Sequence, residues 1–112
     1  NAKKFRAALK GPLVYVGGVV SRETAGEAVS KGFPMIQMGR AVLEDTDFVN
    51  KMREDRTHCS GCTHSNFCIG RMYSRSLQCH KHCSDITPAL EKEVQRIERE
   101  NDRIERKLGY KD

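Results

Sequence analysis

The sequence predicts an α/β fold with parallel strands, and three observations between Leu13 and Arg40 predict it. Two short apolar runs, Leu13 to Val16 and Met35 to Met38, flank a stretch with helical spacing. Each run ends on glycine, at Gly17-Gly18 and at Gly39. Neither run alternates polar with apolar residues, Gln37 excepted, which suits a parallel sheet covered on both faces. The order is strand, glycine turn, helix, strand, glycine turn.

Each element has a local cause. Asn1 to Lys10 fits a basic amphipathic helix with Phe5, Ala8 and Leu9 on its buried face, and Gly11-Pro12 finishes it. Ser21 can cap the crossover helix, because its hydroxyl accepts an amide hydrogen from the first turn. Ala25, Ala28 and Val29 then recur at helical spacing until Gly32, and Phe33-Pro34 leads into the second strand. After Arg40, Ala41 to Leu43 begins a short helical turn. Asp45 or Thr46 caps a further helix, Asp47 to Arg53, packed through Phe48, Val49 and Met52. Arg53 to Arg56 mixes both signs of charge and reads as a solvated end.

The tail gives the clearest helical signal. Thr87 can cap, Pro88 suits the first helical position, and Gly109 suits the residue past the end. Leu90, Val94, Ile97, Asn101, Ile104 and Leu108 follow heptad spacing, and a lone asparagine on such a seam is a device for fixing register. Glu93, Glu98, Glu100 and Glu105 flank the seam, so two copies would face glutamate with glutamate. A helix laid on its own protein body is therefore the expectation. Asp102 and Arg106 predict an ion pair on its solvated face.

The chemistry of the first segment lies where the two strands end. Gly17-Gly18 lets the backbone approach a ligand closely and leaves amide hydrogens pointing outward ahead of a helix, which attracts phosphate. Gly39 repeats this one unit later, and Arg40 adds a guanidinium able to grip phosphate oxygens in pairs. The loops after the last two strands of (β/α)8 barrels often build such a site. The plain alternative is an ordinary strand-to-helix turn, with Arg40 paired to Glu44 or Asp45.

The stretch VYVGGVVSRETAGEAVSKGFPMIQMGRAVLEDTDFVNKM resembles the last two βα units of the old yellow enzyme family of FMN-dependent NADH:flavin oxidoreductases. The VGG turn, the MGRAVLED segment and the DFVNKM helix carry the likeness, which extends over roughly Asn1 to His82. It implies that residues 1–57 are the end of a TIM barrel whose Gly17, Gly18, Gly39 and Arg40 hold the FMN phosphate. It also implies NAD(P)H as donor and an activated alkene or similar acceptor in the intact enzyme. The family's proton donor, its His/Asn pair and its flavin-ring contacts lie on earlier strands, so this chain supplies no catalytic residue and is expected to be inactive alone. The chain starts at Asn1, and two strands cannot close a barrel. The rest of the barrel or another chain is expected to cover the open sheet edge.

Residues 58–86 change character. All five cysteines and all four histidines of the 112-residue protein fall between His58 and Cys83, with no acidic residue among them. The order is Cys59-x2-Cys62-x5-Cys68-x10-Cys79-x3-Cys83. Such spacing can enclose zinc, with three or four cysteines and one histidine, or hold an iron–sulfur cluster on four thiolates. Unligated thiols are a third reading. The odd count argues against disulfides throughout. Larger members of the resembled family carry a [4Fe–4S] cluster just after the barrel. Cys59, Cys62 and Cys79 fall on its first, second and fourth positions. The third falls near Ser65 or Asn66, and the available cysteine is Cys68.

Charge adds one more constraint. The net charge is +5, and residues 58–83 contribute Arg71, Arg75 and Lys81 against no acid. With Phe67 and Tyr73 this patch suggests a nucleic-acid knuckle, but the spacing fits no common pattern and an anionic cofactor already accounts for the charge. No stretch is apolar and long enough for a bilayer, so a cytoplasmic protein is the expectation. The sequence thus divides into barrel units (1–57), a Cys/His segment (58–86) and a helix (87–112). Its functional reading is the FMN-phosphate end of an oxidoreductase. The alternative is a non-catalytic zinc- or iron–sulfur-binding interaction module with a helical contact surface.

Overall fold

A computed structural model describes residues 1–109; residues 110–112 of the predicted C-terminal segment lie outside the described residues. The chain forms two compact units, one of residues 1–61 and one beginning at Cys62. The Cys/His segment after Gly61 and the final helix thus share a unit.

The first unit runs α1 (Ala2–Ala8), β1 (Val14–Val16), α2 (Arg22–Ser30), β2 (Met35–Gln37), α3 (Arg40–Glu44) and α4 (Phe48–Glu54). β1 and β2 pair in parallel, Val14 with Met35, Tyr15 with Ile36 and Val16 with Gln37. Parallel pairing requires a crossover, and α2 supplies it. Its start is a capping box: the Thr24 amide donates to Ser21 Oγ (3.2 Å) and the Ser21 amide to Thr24 Oγ1 (3.1 Å). At its other end Gly32 takes φ +94°, which favours glycine.

One face of the sheet is packed. Tyr15 and Ile36 are half-buried, and Tyr15 meets Phe33 edge-on at 5.3 Å between ring centres. Val19, Ala28 and Phe33 are buried. The other face carries Val14, Val16 and Met35 at 49%, 64% and 51% exposure. Coverage on both faces, expected from the unalternated strands, is met on one. Helix α1 also differs from expectation: Phe5, Ala8 and Leu9 are exposed. Arg6 instead donates to the Leu9 (2.6 Å) and Gly11 (2.8 Å) carbonyls just past the helix and reaches the Gly32 carbonyl after α2 at 3.4 Å. Polar contacts from one guanidinium replace the predicted apolar face.

A smaller core of Ala41, Phe48 and Met52, with Met38 against it, joins the second strand's exit to α3 and α4. Asp45 precedes α4, accepting from the Asp47 amide at 3.0 Å and from Lys51 Nζ at 2.6 Å. Asp47 itself occupies the cap, its carboxylate accepting from Asn50 Nδ2 (2.8 Å) and not from a backbone amide of the first turn.

In the second unit a short α5 (Phe67–Arg71) and a 3₁₀ turn (His80–His82) precede α6 (Pro88–Lys107). α6 begins as predicted, the Leu90 amide donating to Thr87 Oγ1 (3.3 Å) with Pro88 next to the cap. It ends at Gly109, φ +75°. The Asp102–Arg106 pair forms at 2.8 Å. No described helix is long and apolar enough to cross a membrane.

Phe48 has no exposed surface and anchors the core that carries the Gly39-Arg40 exit. Phe48→Ala is expected to cost about 3–5 kcal/mol, measured by denaturant titration. A loss under about 1 kcal/mol would show that this core does not hold the unit together.

Candidate functional site

The register of the parallel pair settles where the two glycine turns go. Val16 is opposite Gln37, so Gly17-Gly18 and Met38-Gly39-Arg40 leave the same edge of the sheet, about 4.8 Å apart at the strand ends. Gly17 and Gly18 take φ +124° and +65°, conformations that a side chain disfavours. A Cβ placed at either would meet no atom within 4 Å. Gly39 is different: its φ is −115°, and a Cβ there also meets nothing within 4 Å. Neither backbone nor crowding within the chain demands glycine at that position. Arg40 opens α3 and is half-buried.

A third stretch joins this edge. The Ser60 amide donates to the Val20 carbonyl at 2.7 Å, and Cys59 bridges antiparallel to Ser21. Glu44 Oε2 then accepts from the Gly61 amide at 3.3 Å. Residues 59–61 therefore run beside the entry to α2. The sequence alone placed Cys59 among metal ligands and offered Glu44 as a partner for Arg40, but did not point to Ser60 or Gly61. No local signal marks them, since Ser60 and its partner Val20 lie in connecting segments far apart along the chain.

The remaining cysteines belong to the second unit, with Cys62, Cys68, Cys79 and Cys83 all half-buried. Among the described residues no disulfide forms. Nor does any group of three or more His, Cys, Asp or Glu among them stand as a set of metal ligands. The segment is organised by other contacts. Arg71 binds both oxygens of Asp85 (2.8 and 3.1 Å), donates to the Ser76 carbonyl (2.6 Å), and lies 6.0 Å over the Phe67 ring. Arg75 adds a second contact to Asp85 at 2.5 Å.

Helix α6 supplies the rest. Glu98 Oε1 accepts from Thr63 Oγ1 at 2.7 Å and faces His80 Nε2 at 3.0 Å. Glu105 Oε1 faces His64 Nδ1 at 3.4 Å, and Asn101 Nδ2 donates to the His64 carbonyl at 2.8 Å. Asn101 thus binds a loop carbonyl within its own unit. Ser65 has its hydroxyl 3.5 Å from both His80 Nδ1 and the Phe67 amide.

The chain is 36% identical over 73 residues to the 4,4'-dithiodibutanoate disulfide reductase of Rhodococcus erythropolis. The match takes in 65% of this chain and 18% of that protein. The likeness is therefore to a short part of an oxidoreductase. No protein-family model matches the chain, and no solved structure does.

Arg71 and Arg75 hold the Asp85 carboxyl well below the usual carboxylate range, Arg71 contributing most. A lowered pKa in the fold stabilises it above the ordinary value of about 3.9, and that contribution disappears as pH falls through the folded value. Asp85 is partly exposed, so solvent screens the effect. Asp85→Asn is expected to lower the melting midpoint of the second unit slightly at pH 7. The gap between variant and parent should close as pH is taken well below 4. A gap that stays constant down to pH 2 would remove the ion pair as its cause.

Proposed function

We propose that this chain carries the FMN-phosphate-binding end of a flavin-dependent oxidoreductase, with Gly17, Gly18, Gly39 and Arg40 as the phosphate loops. The single observation that carries the reading is the shared edge: two glycine turns emerge side by side from in-register parallel strands. Gly39 supports it further. Open space stands where its Cβ would be, beside the strand end, and a ligand could approach the backbone closely there. The similarity to part of a disulfide reductase supports the oxidoreductase class.

FMN, when bound, supplies the hydride- and electron-accepting ring. This chain's own part is to hold its anionic end. Outward amides at Gly17 and Gly18 would donate to phosphate oxygens, and the Arg40 guanidinium would neutralise them. NAD(P)H is the proposed donor in the intact enzyme. The proposed acceptor is an activated alkene or, on the relative's name, a disulfide. The exposed sheet face of Val14, Val16 and Met35 is the surface proposed to meet the rest of the barrel or another chain. The chain by itself is proposed to be catalytically silent.

FMN binding tests this. Titrating the chain with FMN should quench flavin fluorescence, with riboflavin binding more weakly because it lacks the phosphate. Arg40→Ala is expected to weaken FMN binding about 10–100-fold, the worth of a hydrogen bond to a charged group, and to leave riboflavin unchanged. Equal loss for both ligands, or none for either, would remove Arg40 from the phosphate site. NADH oxidation by the chain with added FMN would overturn its proposed silence.

A further inference from the structure

The second unit carries a feature that the flavin reading does not use. Three side chains of α6, Glu98, Asn101 and Glu105, all reach the loop of Thr63 and His64 or the nearby His80. They fall within two turns on one face of the helix, because seven residues is close to two helical turns. Val94, buried one turn earlier, supplies the apolar part of the same face.

A second observation is independent of these bonds. His64 has φ +56°, the left-handed region that a non-glycine residue enters at a cost. Such a conformation persists only where its surroundings fix it from more than one side. Asn101 holds the His64 carbonyl while Glu105 faces its ring, so backbone and side chain are both constrained. His80 is fixed similarly, between Glu98 on one ring nitrogen, Ser65 on the other and the edge-on ring of Phe67 at 6.1 Å.

We infer that residues 62–86 are held to α6 by a metal-independent polar latch centred on Glu98 and Asn101. His64 and His80 serve this latch and not a metal ion. The inference does not depend on the flavin reading, since it concerns only the second unit.

Hydrogen exchange on the full chain tests it, alongside metal analysis of anaerobically purified protein. Metal content should be far below one atom per chain, and a chelator should leave the exchange of amides 63–66 within about twofold. Glu98→Ala and Asn101→Ala should each raise exchange at those amides about tenfold or more while the amides of α2 keep their protection. Combined Cys62→Ser, Cys68→Ser and Cys79→Ser should change it little. If Glu98→Ala also loosens α2, Glu98→Gln decides, because it keeps the acceptor for Thr63 while removing the charge, and an intermediate loosening is expected. Stoichiometric iron or zinc whose removal loosens the segment would overturn the latch. So would a serine variant as loose as Glu98→Ala, or unchanged exchange in Asn101→Ala.

Discussion

The parallel pairing of β1 and β2 is the constraint on which the first unit depends. Strands that run the same way and in register must release their following residues at the same edge. Had the second strand returned antiparallel, Gly39 and Arg40 would have emerged at the opposite edge from Gly17. The capped crossover helix makes the parallel route possible, and its cap also fixes the residues just after the glycine turn. Val20 donates to Thr24 Oγ1 through its amide (3.1 Å) and accepts from Ser60 through its carbonyl. The turn is thereby tied to α2 on one side and to residues 59–61 on the other.

The sheet has an unequal pair of faces, and the inequality has a physical reading. Burying a large aliphatic side chain is worth about 1.5–3 kcal/mol, and Tyr15 and Ile36 gain part of this against the Phe33 side. Val14, Val16 and Met35 gain little of it in this unit. A sequence that puts Tyr15 and Ile36 on one face and Val14, Val16 and Met35 on the other is written for two covered faces.

What was legible in the sequence was what depends on neighbours along the chain. Ser21, Thr87 and Gly109 act through amides or carbonyls within a turn of themselves, so cap chemistry alone predicts them. The strands were legible because glycine bounded each short apolar run. The faces of α1 were not, since an exposed Phe5 and an anchoring Arg6 reverse the usual roles of apolar and basic residues. Contacts made by Glu98, Asn101 and Glu105 were equally hidden. Their partners lie 35, 37 and 41 residues away, beyond the reach of any spacing rule. Cysteine spacing drew attention to the segment's thiols, whereas the carboxylate partners of His64 and His80 come from α6 and leave no mark in that spacing.

The helix α6 shows why a heptad pattern underdetermines what a helix meets. Its seam is interrupted by Asn101 and bordered by glutamates, and two explanations compete for those polar residues. In a self-paired coil Asn101 fixes register and the glutamates are an electrostatic penalty. Against a loop rich in histidine, threonine and exposed carbonyl groups, the same residues become acceptors and a donor with partners in place. The second arrangement leaves no like-charge repulsion to explain, and it accounts for the uneven seam. Val94 is buried on the face that carries Glu98, Asn101 and Glu105, while Leu90, Ile104 and Leu108 are exposed. Chemical complementarity to the Cys/His segment, and not hydrophobic periodicity, decides which face of this helix is covered.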